Sequence, residues 1–218
     1  MRGTATEPRI GPNAISRLAD CLTREGRTGE AEAVFGAAGL RRYLDTPPGE
    51  MVPEADVVAL YGALFATLGP VRAKAMARSA GAATARYLLA HRIPRLVQAV
   101  LRLSPRRWAA RALCKAIAGH AWTFAGGGTF EWRVAERATL TILRSPLARA
   151  ACGDRAGCGH PVCDFYAGTF EGVFSALVDR RARATEIACA AAGAGACVFD
   201  VDFAPASPRA VSGVPQSV

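Results

Sequence analysis

Apolar positions recur at helical spacing through the first half of the chain. Ile15, Leu18, Ala19 and Leu22 share one face of a helix expected over residues 12–25, with Pro12 suited to its first turn. A shorter helix is expected over 29–38, stopped by Gly39. Asp45-Thr-Pro-Pro-Gly49 breaks the pattern. Val57, Leu60, Tyr61, Leu64 and Leu68 then form the stripe of a helix over 53–68, and Gly69-Pro70 marks its end. A long helix follows over 71–91. Its middle, Ser79-Ala-Gly-Ala-Ala-Thr-Ala85, is built of small residues that admit close approach of either another helix or a flat ligand. Pro94 and Pro105 start two more helices. In the second, Arg107, Arg111 and Lys115 recur every four residues opposite Trp108, Ala112 and Leu113. That pattern suits either an anionic membrane surface or a core-facing helix with a solvated back.

Near residue 120 the period changes to two. Residues 121–125 and 129–135 read as strands joined by Gly126-Gly-Gly128 as a hairpin connection, and 139–143 as a third strand. Residues 165–181 return to helix, with Phe170, Val173, Phe174, Leu177 and Val178 on its buried face. Residues 185–191 and 196–203 then form a closing hairpin around Gly193-Ala-Gly195. Helices first and hairpins later make an α+β domain with an antiparallel sheet, not a doubly wound one. A single domain is expected over 11–203, helical over 11–118 and built of hairpins and a Cys-rich region over 119–203. A flexible segment at 1–10 precedes it, and a disordered, Pro- and Ser-rich tail at 204–218 follows.

Composition narrows the class. Of 218 residues 51% are hydrophobic and 21% charged, enough apolar surface to offset the ordering entropy that leaves other chains disordered. The longest uncharged runs, 57–71 and 116–130, have 15 residues each, short of the ~20 that span a bilayer. The first residues lack the apolar core of a signal peptide, so a cytoplasmic location is expected. The net charge of +9 is unevenly placed: residues 57–130 carry 11 basic side chains and no Asp or Glu, whereas 131–218 carry 9 of each sign. Such a block suits an anionic partner or a solvated basic face.

The motifs exclude more than they assign. GxGxxG after a strand, GxxxxGK[ST], GxSxG and HExxH are all absent, so no nucleotide cofactor is expected, and no motif of nucleic-acid recognition accompanies the basic block. Seven cysteines without a signal peptide argue against a disulfide framework. Cys21 and Cys114 fall on helical patterns as small apolar groups. Cys163, Glu186, Cys189 and Cys197 form a soft, closed, four-ligand set that suits structural zinc, with buried free thiols as the alternative. Residues 186 and 189 of a regular strand face opposite sides, so a bulge or turn must bring both to one ion. Cys152, Cys158 and His160 compete as ligands.

Arg9-Ile-Gly-Pro-Asn-Ala-Ile15, the segment 163–172, Glu186-Ile-Ala-Cys189 and Gly195-Ala-Cys-Val-Phe199 resemble the 4-vinyl reductase domain family, over roughly residues 9–203. The resemblance implies an α+β fold like that of small trafficking-complex subunits, a homodimer, and zinc on Cys163, Glu186, Cys189 and Cys197 beneath an apolar ligand pocket. Cys152 and Cys158 depart from the family pattern. The resemblance also implies bacteriochlorophyll biosynthesis. The expected role is to bind a tetrapyrrole intermediate as an accessory or delivery factor for enzymes of the magnesium branch, in the cytoplasm or at the cytoplasmic face of the photosynthetic membrane, with peripheral membrane contact. Such pigments are flat and apolar with carboxylate edges. A cleft near Trp108, Trp122, Phe124 and Trp132, rimmed by Arg78, Arg86 and Arg111, would complement both features. His120 is either an axial ligand to the pigment's magnesium or a hydrogen-bonded structural residue. The family name implies an alternative, reduction of the 8-vinyl group with an external reductant. Phenol-sensing relatives imply another, a small-molecule sensor.

Overall fold

The computed structural model describes residues 7–24, 28–150 and 159–203. Pro12 opens α1 (Asn13–Arg24), which buries Ala14, Ile15, Leu18, Ala19 and Leu22 as their spacing requires. α2 (Thr28–Ala37) follows, and Gly39 beyond it takes φ 70°, a left-handed stop natural to glycine. α3 (Arg42–Asp45) is a single turn. Upstream, β1 (Arg9–Ile10) pairs with β2 (Val52–Pro53), so part of the stretch expected to be flexible is hydrogen-bonded. The Gly11 N–H also donates to the Thr123 carbonyl at 2.7 Å. Residues 1–6 and 204–218, expected to be flexible and disordered, lie outside the described residues.

α4 (Glu54–His91) is one element of 38 residues instead of the two helices expected. Pro70 has no N–H to donate and Gly69 takes φ 71°, ψ 163°, so the helix kinks there and then resumes. By length and composition α4 could cross a bilayer; in this fold it is the central helix, with α1, α2, α7 (Pro146–Ala150) and α8 (Asp164–Leu177) packed on it. α5 (Arg95–Leu103) and α6 (Arg106–Gly119) start behind Pro94 and Pro105, as expected.

The small residues of α4 serve a helix. A Cβ on Gly81 would overlap the Phe165 carbonyl, one on Gly168 the Arg78 carbonyl, and one on Gly172 the Ala85 methyl. The backbones of α4 and α8 are therefore nearly in contact.

β3 (Thr129–Val134), β4 (Ala138–Leu143), β5 (Arg183–Ala188) and β6 (Cys197–Asp202) form an antiparallel sheet in the order β3–β4–β6–β5. With helices ahead of it, this is the α+β architecture read from the pattern. Leu140, Ile142, Phe199 and Val201 are fully buried, and Phe199 meets Phe170 of α8 with ring centroids 5.4 Å apart. One expected hairpin is corrected. Residues 121–125 are not a strand but include a 3-10 turn, Ala121–Thr123, and β3 instead turns back into β4 at residues 135–137. The cause is Glu54, buried at the head of α4. Its carboxylate accepts the Gly127 N–H at 2.6 Å and pairs with Arg149, so Gly126-Gly-Gly128 wraps an anion. Gly126 sits at φ 57°, and a Cβ there would collide with that carboxylate.

Candidate metal centre

Element ends supply the cysteines. Cys163 precedes α8, Cys189 follows β5, and Cys197 opens β6, while Glu186 lies within β5. The expected bulge is present: Glu186 stands opposite Phe199 and Ala188 opposite Val198, leaving Ile187 as the extra residue. Ile187 is pushed out to 57% exposure, and the pleat is shifted so that Glu186 and Cys189 reach the same point. Beyond Cys189 a 3-10 turn, Ala190–Ala192, and Gly193 at φ 95° return the chain to Cys197.

One ligand atom from each of Cys163, Glu186, Cys189 and Cys197 lies within 4.8 Å of the others. Cys163 Sγ is 3.5 Å from Cys197 Sγ, which is 3.8 Å from Cys189 Sγ. A tetrahedral ion with metal–sulfur bonds of ~2.3 Å has sulfur–sulfur edges of ~3.8 Å, so the thiols already stand at coordinating separation. All three cysteines are buried. Glu186 Oε2 accepts the Cys163 N–H at 2.9 Å, while Oε1 is buried with no hydrogen-bonding partner. That oxygen is a natural fourth ligand. The set can hold a metal ion, and among the described residues no other group of His, Cys, Asp and Glu converges in this way.

The charges explain why an ion is wanted. Four acidic groups crowded out of water cannot all ionise together. Hydrogen bonds to Cys189 and Cys197, followed by burial, push the Cys163 thiol well up. Hydrogen bonds from Cys163 and then Cys189 bring Cys197 down to about 4. Burial, then the adjacent Cys189 sulfur, raises Glu186 to about 8. A divalent cation would replace the protons that this crowding retains.

Sequence spacing missed Ser145. It is buried, and its Oγ is 3.6 Å from Cys163 Sγ, brought there by the turn between β4 and α7. Nothing in the local pattern of Arg144-Ser-Pro146 signals that contact. His160 packs against the Phe65 ring at 6.4 Å and is not in the converging set. Cys152 and Cys158 lie outside the described residues. Cys114 is buried in α6, where burial pushes its thiol up to about 12.

The aromatic and basic candidates for ligand binding are dispersed. Trp108 stands at the start of α6, and His120 and Trp122 lie just past its end; a helix of 14 residues separates them by about 20 Å. Trp108 and Trp122 are exposed, and Trp132 lies on β3 at the edge of the sheet. Phe124 is inside the core, against Phe130 at 5.4 Å and Tyr166 at 6.1 Å. A ring nitrogen of His120 hydrogen-bonds the Ala116 carbonyl at 2.9 Å, the structural one of its two expected roles. Arg86 and Arg111 are exposed on α4 and α6.

Arg78 belongs elsewhere, in an open groove of about 520 Å³ along the α4–α8 seam. Ala75, Ala82, Gly168 and Gly172 are among the small residues that line it, together with Arg78, Arg180, Arg183 and Glu171. Arg78 donates to Glu171 at 2.8 Å and to the Ala184 carbonyl at 3.1 Å, which ties α4, α8 and β5 together. Arg180 and Arg183 were not singled out as ligand-binding residues. Their place in the groove depends on the turn from α8 into β5, which local spacing does not report.

The 4-vinyl reductase domain model matches residues 148–203, the stretch that holds all four converging ligands. Over 199 residues the chain is 39% identical to the bacteriochlorophyll synthase 23 kDa chain of Cereibacter sphaeroides, covering 91% of this chain and 93% of that protein. It is 37% identical over 193 residues to the protein of the same name from Rhodobacter capsulatus, covering 88% and 86%. Among solved structures, an H-NOX protein from S. oneidensis in the Fe(II)NO ligation state is similar in fold. It matches with a TM-score of 0.55 at 8% identity, covering 90% of this chain and 100% of that one.

Proposed function

Because this chain belongs to the family of the bacteriochlorophyll synthase 23 kDa chains, we propose that it acts in the cytoplasm as a carrier, binding a tetrapyrrole intermediate and presenting it to an enzyme of bacteriochlorophyll synthesis. The observation that carries this reading is the groove of the α4–α8 seam. Its floor is flattened by Ala75, Ala82, Gly168 and Gly172, and its rim sets three arginines against one carboxylate, Glu171. A flat macrocycle with carboxylate edges is complementary to both. Arg78 is held by Glu171, so Arg180 and Arg183 are the groups left to reach for ligand carboxylates.

The ion of the four-ligand set is, in this reading, zinc. Three thiolates and a carboxylate suit a soft tetrahedral cation, and four protein ligands leave no position for substrate. Zinc supplies charge compensation and a cross-link. Cys163 ties it to the head of α8, and Glu186, Cys189 and Cys197 tie it to the β5–β6 hairpin. α8 lines the groove with Gly168, Glu171, Gly172 and Ser175. The ion therefore steadies the wall on which the pigment would lie.

Titration of the protein with magnesium protoporphyrin, followed by pigment absorbance, tests the reading. Saturable binding is expected, weakened about tenfold for each of Arg180→Ala and Arg183→Ala, the scale of one charge-assisted hydrogen bond. No saturable binding, or an affinity unchanged in the double variant, overturns it. Chromatography after incubation with divinyl pigment and NADPH is expected to return the pigment unchanged; a reduced vinyl group would replace the carrier with a reductase.

A further inference from the structure

We propose that α5, extended by Trp108 at the start of α6, is a docking face for an anionic lipid bilayer. Leu96, Val100 and Leu103 recur at i, i+4 and i+7 and so share one face of α5; they are 77%, 48% and 89% exposed. A surface helix ordinarily turns such a stripe toward the core. Here the inward positions are Gln98 and Leu101. Gln98 Nε2 donates to the Leu89 carbonyl at 2.6 Å and the Ile93 carbonyl at 2.8 Å, so an amide anchors the helix and the apolar stripe faces out. Trp108, beyond the Ser104-Pro105 turn, continues the exposed apolar surface.

Charge selects the occupant. Residues 57–130 hold 11 basic side chains and no carboxylate. Two of the arginines nearest the stripe are turned inward: Arg102 donates to the Ala176 carbonyl at 2.9 Å, and Arg106 pairs with Asp179 at 2.9 Å. Arg92, Arg95, Arg107 and Arg111 are exposed and enter no ion pair among the described residues. A second copy of the chain docked by the same face would set cations against cations, since a two-fold interface places like patches together. An anionic bilayer offers both an apolar phase for Leu96, Val100 and Leu103 and negative charge for the arginines around them. An exposed indole beside such a stripe suits the headgroup level.

Co-sedimentation of the full chain with phosphatidylglycerol–phosphatidylcholine vesicles, against phosphatidylcholine alone, tests the proposal. Binding to the anionic vesicles is expected, reduced by salt and absent on the neutral ones. Each of Arg95→Ala and Arg107→Ala should weaken it roughly fivefold. Leu96→Gln with Leu103→Gln should weaken it about tenfold or more while the melting temperature stays put, because both side chains are already in water. No binding to anionic vesicles, or equal binding by all variants, overturns the proposal. Sedimentation velocity covers the rival: a dimer dissociated by Leu103→Gln would assign the face to a second copy instead.

Discussion

Acidification should strip the metal from this protein steeply. The ion needs its ligands deprotonated, yet the Cys163 thiol is held well above its usual value and Glu186 titrates at about 8. Below about pH 8, each ion that enters must therefore displace at least two protons, while Cys197, at about 4, contributes none. Each displaced proton lowers the apparent affinity tenfold per pH unit, so two give about a hundredfold, or about 2.7 kcal/mol, per unit. At fixed free metal above the dissociation constant, the same amount is lost from the stability of the loaded protein. In a domain of this size that is roughly 5–10 °C of melting temperature per unit.

The metal-free protein behaves differently. Glu186 has a raised folded pKa, so its contribution to stability is complete below about pH 4.5 and is lost as pH rises toward 8. Cys197 has a depressed one, so its contribution is present above its usual thiol range and is lost as pH falls toward 4. Between about pH 5 and 8 the two slopes oppose each other, and these groups leave the metal-free melting temperature nearly level. Melts with buffered free zinc and with a chelator, at about pH 8, 7 and 6, should show the two curves converging on acidification. A loaded curve parallel to the metal-free one, or a slope of one proton or fewer in chelator competition, would refute the assignment of Cys163 and Glu186 as ligands.

Two further outcomes concern the scaffold. Gly168→Ala should destabilise by about 1–3 kcal/mol through its clash with the Arg78 carbonyl, despite a helix-propensity gain of ~1 kcal/mol, whereas Gly29→Ala in α2, with open space around it, should be neutral or stabilising; urea melts decide, and a stabilised Gly168→Ala would contradict the tight seam. Cys189→Ser should drop bound zinc, read by native mass spectrometry, to less than half an equivalent and lower the melting temperature; full retention of the ion would move the site elsewhere.

What was legible in the sequence was whatever a local period or a local impossibility encodes. The stripe Ile15, Leu18, Leu22 had to turn inward, and Glu186 with Cys189 could share an ion only through an irregular strand, which the register at Ile187 supplies. The failures came from partners far away in the chain. Gly126-Gly-Gly128 resembles a hairpin until Glu54, more than seventy residues earlier, supplies the anion it wraps. Trp108 and Trp122 are close in the chain, but a whole helix stands between them. The apolar side of α5 reads as buried because periodicity gives the angle between side chains and not the direction of the core.

The same long-range logic links the metal to the groove. Ile187 is an extra residue on an edge strand, where a bulge costs least in lost pairing. Without it, Glu186 and Cys189 would point to opposite faces of β5, and the β5–β6 hairpin would have no polar hold on α8 at Cys163. α8 must be held because its seam with α4 is made of glycine and alanine, which give close backbones but few side-chain contacts to resist sliding. Arg78 secures the seam at β5 through Glu171 and the Ala184 carbonyl, and the ion would secure the other end of that strand. A floor flat enough for a macrocycle thus has few side chains of its own to keep it in register, and the four-ligand set supplies the clamp.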